Sequence, residues 1–337
     1  PANTSDDKFD YEGIDNSQKK AFIENNCDGF SVPALGLSTD GLTRPALDER
    51  NSTWLQPGYR EDILVAFPEP GWYCLVNGRV TDAAAVNLEG NETSLLGRIY
   101  VEPTENRIAQ PIEHMLATLE TAAKEVLPSD VASQVVADLR NGMRMTAFVP
   151  HQAIPKSEVD GSQSVAFRIV RDGSAGGEPK FLFQIGELER NVGEPFKIVN
   201  EASYSPGVTN RTLMLGAVEE WQLASLGGGG HPFHIHVNPF QVIEVLRMTD
   251  PSDPDTWVDV SGFVDESTNQ FAGLKGVWKD TIFVEPGHLV RFRTRYERYI
   301  GDFVMHCHIL DHEDQGMMHK IEIAVSDGRG STAKGHH

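Results

Sequence analysis

Along most of the chain, apolar and polar residues alternate in short runs broken by Gly, Pro and Asp, as in "REDILVAFPEPGWYCLVNGRV" (60–80) and "DTIFVEPGHLVRFRTRY" (280–296). Short strands separated by turn residues predict an all-β protein, built as an antiparallel sandwich or barrel. The stretch 108–145 departs from this pattern. There Ile112, Met115, Leu116, Leu119, Ala123, Val126 and Leu127 recur at helical spacing. A second helix is expected from "PSDVASQVVADLR", with Ser129 as its N-cap. The helical insert is read as a domain junction. It leaves β-rich regions at 1–107 and 146–327 and a loose tail, without periodicity, at 328–337. A length of 337 residues suits two domains.

Charge narrows the partners. The net charge of -20 repels phosphate backbones and anionic lipid, and no basic stripe offsets it, so neither nucleic acid nor membrane is an expected partner. No window approaches the apolar length of a membrane span. The opening "PANTSDDKFDYEG" has no basic segment followed by an apolar one and reads as no signal peptide. The acidity suits a salty or extracytoplasmic medium, and a periplasmic or secreted location is expected. Sequons at Asn3, Asn51, Asn91 and Asn210 carry little weight. Of the three cysteines, Cys27 and Cys74 either pair in a disulfide or sit as two buried thiols.

The third cysteine lies in the chain's densest chemistry, "FVMHCHILDHEDQGMMHK" (303–320). A strand turns successive side chains to opposite faces. In "DFVMHCHIL", His306 and His308 then point one way and Cys307 the other, so one segment can serve two metal sites. "GGGGHPFHIHVNPF" behaves likewise: His234 and His236 share a face, and His231 tends to the opposite one. This pairs His231 with Cys307, and His234 and His236 with His306 and His308. The turn "DHEDQGMM" brings His312 and Met317 to the cysteine side. Two imidazoles, a thiolate and a thioether describe a blue-copper site. Zinc is the rival, but it has no redox chemistry and no use for the methionine. His114, His151 and His288 read as surface or packing residues, and His319, which breaks the alternation, as surface.

The motifs H-P-F-H-I-H (231–236) and H-C-H-x-x-x-H-x-x-x-x-M (306–317) resemble the C-terminal copper motifs of the multicopper oxidases, the family of laccases, bilirubin oxidases and cuprous oxidases. The resemblance extends to "GVWKDTIFVEPGHLVRFRTRYERYIGDFVMHCH" and, more loosely, to "PALGLSTDGLTRP" and "LQPGYREDILVAF". It implies cupredoxin-like Greek-key sandwich domains: a partial second domain at 1–107 and a C-terminal domain at 146–327. It also implies a complete type 1 copper site at His231, Cys307, His312 and Met317. His234 would be a type 2 ligand, with His236, His306 and His308 on a type 3 pair. Such a cluster reduces dioxygen to water with electrons from a small-molecule reductant. Glu313 matches an acidic residue that relays protons.

The family's remaining cluster ligands come from two H-x-H motifs, and none precedes His231 here. The expectation is a C-terminal portion, inactive alone, completed by an absent N-terminal domain or by another chain. No Met-rich segment marks a cuprous oxidase, which favours an organic reductant such as a phenol. The alternative is a blue-copper electron carrier or copper-binding module without oxidase activity. A copper-free scaffold is disfavoured by the intact Cys307, His231 and His312. A nitrite reductase would not need histidine on both sides of the cysteine, and small two-domain laccases carry N-terminal H-x-H motifs.

Overall fold

The structure, a computed structural model, describes residues 14–27, 29–86, 88–104, 107–173, 180–262, 269–326 and 332–333. The chain begins with helix α1 (Asn16–Asn26), whose entry is closed by a capping box between Asp15 and Gln18. Strands β1 (Ala34–Thr39), β2 (Leu42–Arg50) and β3 (Glu61–Val65) form an antiparallel sheet with β1 central. Strands β4 (Gly71–Asn77) and β5 (Ser94–Val101) form a separate two-stranded ribbon. A disulfide between Cys27 and Cys74 fastens α1 to β4, resolving the alternative left open above.

Helices α2 (Pro111–Val126) and α3 (Ser129–Arg140) follow. Their apolar faces do more than join two regions. Met115, Leu116, Ala123, Val135 and Leu139 bury against Leu35, Leu47 and Ala66, so the helices cover the first sheet and supply much of its core. Ser129 is the first helical residue of α3 rather than its cap. Pro128 holds the cap position with no side-chain hydrogen bond, because its ring offers no oxygen to accept one, and Ser129 has already entered the helix.

The second half is a two-sheet sandwich. One sheet has eight strands. Its strands are β6 (Gly161–Asp172), β7 (Lys180–Glu189), β8 (Lys197–Ala202), β10 (Val218–Ser225), β12 (Phe240–Arg247), β13 (Val258–Asp259), β14 (Trp278–Lys279) and β16 (His288–Arg295). The other contains β9 (Arg211–Met214), β11 (His231–Ile235), β15 (Thr281–Val284), β17 (Gly301–Cys307), β18 (Met318–Ser326) and β19 (Thr332–Ala333). Parallel pairings of β6 with β10 and of β9 with β18 mark strands that cross between layers. Inward residues of both sheets, among them Val165, Phe167, Trp221, Phe233, Val242, Ile282 and Phe292, are fully buried. Within the expected tail, Thr332 and Ala333 pair with Ser326 and Val325; its other residues, like Asn3, lie outside the described residues.

The halves meet along a polar seam beside β14 and β15. Asp40 and Lys279 form an ion pair at 3.1 Å with both side chains fully buried. The Lys279 ammonium also lies 4.0 Å from the Tyr59 ring centre. The Phe283 amide donates to the Tyr59 hydroxyl at 2.7 Å, and Gln56 donates to Gln270 at 2.8 Å.

Candidate metal centres

β11 and β17 lie antiparallel, with Phe233 opposite Cys307 and His234 opposite His306. Strand alternation then turns His231 and Cys307 into the sandwich and His234 and His306 to its outer face. A short helix, α4 (Leu310–Asp314), folds the chain back so that His312 joins the inner group. Cys307 Sγ lies 3.6 Å from Nδ1 of both His231 and His312, and these two nitrogens are 3.3 Å apart. Met317 is fully buried. Its carbonyl accepts from the Cys307 amide at 3.0 Å and its amide donates to the His312 carbonyl at 2.9 Å, which closes the loop around the thiol. Phe167 stacks on His231 and Phe183 tilts against His312, giving the group apolar walls.

That burial sets the charge states. It pushes the Cys307 thiol up to about 12. Burial, with His312 beside it, lowers His231 to about 3. Neutral imidazole lone pairs and a thiol that ionises only when a cation replaces its proton are a donor set suited to a soft or borderline metal. The residues fit copper.

On the outer face, ligand atoms of His234, His236 and His306 lie within 4.8 Å of one another. Nε2 of His236 and Nε2 of His306 are 3.3 Å apart. The His308 ring, held by its amide bond to the Pro232 carbonyl, is centred 5.4 Å from those of both His234 and His306. The backs of two rings are occupied by acceptors. His234 Nδ1 meets the Asp280 carbonyl at 3.0 Å and the Thr281 hydroxyl oxygen at 2.9 Å. His306 Nδ1 meets the Cys307 carbonyl at 3.1 Å and the Glu313 carboxylate at 3.0 Å. Each Nδ1 therefore carries the proton, and each Nε2 lone pair is free for a metal. Burial also lowers His306 to about 4, keeping it neutral.

The structure thus brings His231, Cys307 and His312 together on one side and His234, His236, His306 and His308 on the other, with Glu313 behind His306. His319 departs from expectation. It is 5% exposed, on the inner face opposite Met305, because β18 continues its alternation into the core beyond Met317. Sequence reasoning singled out neither Asp280 nor Thr281, although both lie in the "WKDT" of the resembling stretch. Asp40, Gly58 and Arg60, in the two more loosely resembling stretches, were likewise not singled out, and they meet Lys279, His308 and Asp280 from more than 200 positions away.

Residues 178–327 match the multicopper oxidase family model. The match covers the copper-motif sandwich, which is thus similar to the multicopper oxidases. The chain is 33% identical over 132 residues to a laccase of Bacillus stratosphericus, a match covering 39% of this chain and 25% of that protein. To a laccase of Haloferax volcanii it is 39% identical over 105 residues, 31% of this chain and 15% of that one. The multicopper oxidase of Campylobacter jejuni superposes with a TM-score of 0.53 at 20% identity, covering 88% of this chain and 50% of its own. The chain therefore spans about half of that solved oxidase and a smaller share of the laccases. The shared architecture is the cupredoxin-like sandwich, and copper is the expected metal of a multicopper oxidase.

Proposed function

We propose that this chain carries the complete type 1 copper site of a laccase-like oxidase, together with half of the trinuclear cluster at which dioxygen is reduced to water. The observation that carries the reading is the placement of Cys307 and His306, neighbours in sequence, in two donor clusters on opposite faces of one strand. His231, Cys307, His312 and Met317 would hold the type 1 ion. His234 would bind a type 2 ion, and His236, His306 and His308 a type 3 pair. Copper there would accept electrons singly from a small organic reductant, such as a phenol, and deliver them to dioxygen.

The chain's own residues supply the conduit and the order. Cys307 is joined by single peptide units to His306 and His308, and its carbonyl accepts the His306 Nδ1 proton, so one residue's backbone links both clusters. Glu313 holds that same proton from the other side, and its side chain remains 23% exposed. A carboxylate spanning solvent and a ligand imidazole is placed to pass protons inward as dioxygen is reduced. The other cluster ligands would come from an N-terminal domain or another chain. The Cys27–Cys74 disulfide supports an oxidising compartment, periplasmic or secreted.

A blue-copper electron-transfer module is the second reading, favoured by one observation: the inner donor set is complete within this chain, whereas the outer face offers four histidines among the described residues. Metal analysis combined with an oxygen electrode tests both. The chain alone should hold roughly one copper firmly, because affinity follows ligand number and fixed geometry, and should accept electrons without consuming oxygen. Addition of the complementary domain should start oxygen uptake under the oxidase reading and not under the carrier reading. About four firmly held coppers with rapid oxygen uptake by the chain alone would overturn the half-cluster assignment.

A further inference from the structure

The outer histidines are held from behind by the first half of the chain. The loop between β2 and β3 crosses the outer face at Gly58. Its φ is +84°, and a Cβ there would stand 2.6 Å from Cδ2 of His308, so only glycine lets the backbone lie against that ring. Two residues on, the Arg60 guanidinium gathers four acceptors. Nη1 donates to the Gly58 carbonyl at 2.8 Å and to Asp280 Oδ1 at 2.9 Å; Nη2 donates to Asp280 Oδ2 at 2.6 Å and to the Asp40 carbonyl at 3.0 Å.

Asp280 is also the residue behind His234. Its carbonyl receives the His234 Nδ1 proton, and its carboxylate accepts from the Thr281 hydroxyl at 2.8 Å. With its hydrogen so directed, Thr281 turns a lone pair to the same Nδ1. The Asp40 carboxylate accepts the amides of both Asp280 and Thr281, each at 3.2 Å, anchoring that backbone from below. One guanidinium therefore connects the acceptors behind one imidazole to the glycine beneath another.

We propose that Arg60 is a positioning residue that fixes His234 and His308 relative to each other for metal binding. The proposal rests on the reading of the outer face as half of a copper cluster. Arg60 is half-exposed, and an ion pair there adds little to stability. Its planar fork instead fixes direction, which an ammonium cannot do for four acceptors at once. Residues behind metal-binding histidines set ring orientation and tautomer, and their loss weakens metal binding about 10- to 100-fold.

The test uses the whole chain with its Cys307 side already loaded with copper, titrated with further cupric ion. Arg60→Ala should weaken binding on the outer face by about tenfold or more, leaving the thiolate-copper absorption and the thermal midpoint as in the parent. Arg60→Lys should recover part of the affinity, since it can hold Asp280 but cannot also reach Gly58. Gly58→Ala should weaken the same binding by displacing His308. A second readout needs no metal: in imidazole 15N NMR the His234 Nδ1 proton should exchange slowly in the parent and faster in Arg60→Ala. Parent-like affinity and parent-like exchange in Arg60→Ala would overturn the proposal. If the parent binds no cupric ion on the outer face, yet exchange still depends on Arg60, the half-cluster reading falls and the positioning role stands.

Discussion

Burial determines what each histidine can contribute. His231 and His306 are desolvated within clusters of donor side chains, whereas His319 is buried on the inner face of β18 outside both clusters. Burial and nearby Arg211 lower His319 to about 4. The unfolded chain returns it to about 6.5, so protons favour unfolding. The stability that depends on a neutral His319 is full above pH 6.5 and is lost progressively as pH falls toward 4. At pH 5 the loss should be about 2 kcal/mol relative to pH 7. Urea unfolding of the metal-free chain at both pH values should show His319→Leu less acid-sensitive than the parent by that order. Equal sensitivity would mean that His319 already protonates in the folded protein.

Among the elements, α1 and the β11–β17 pair stand at opposite extremes of support. β11 and β17 are central strands with both neighbours hydrogen-bonded, and their inward His231, Phe233, Met305 and Cys307 are fully buried. On α1, Phe22 is the buried apolar residue, and an isolated helix of this length is marginal in water. The Cys27–Cys74 bond therefore contributes much of its attachment, about 4 kcal/mol by loop-closure entropy for the 47-residue separation. Replacing both cysteines by serine should release α1, raising amide exchange across Asn16–Asn26 while leaving copper absorption at Cys307 unchanged. Loss of that absorption would show that α1 supports the sandwich as well as the ribbon.

At the scale of the whole molecule, the two halves are joined by a charged pair as deeply buried as any core leucine. Asp40 and Lys279 are both inaccessible, and burial depresses the Lys279 pKa. Removing one member of such a pair leaves an uncompensated charge, at a cost of about 3 kcal/mol or more, whereas neutralising both can be nearly without cost. Lys279→Met should destabilise the chain to chemical denaturant by that order. Asp40→Asn together with Lys279→Met should recover most of the loss, since the asparagine oxygen can still accept from Asp280 and Thr281. If the double variant is as unstable as the single, the ion pair itself, rather than relief of an unpaired charge, holds the halves together.

The histidine motifs, the two opposed faces of donor side chains and the helices at 108–145 were legible in the sequence because each depends on a local period. A strand turns neighbouring side chains apart wherever it lies, so Cys307 had to face away from His306, and His231 from His234. The burial of His319 was not legible, since its position on the inner face depends on how far β18 runs beyond the Met317 turn. Nor was the cap of α3, where one residue's backbone angles separate Pro128 from Ser129. The disulfide remained one of two alternatives until α1 and β4 were seen to lie together. Arg60 on Asp280 and Asp40 on Lys279 join residues 220 and more positions apart. No periodicity spans such a distance, and only the packing of one sheet against another brings those charges behind the histidines.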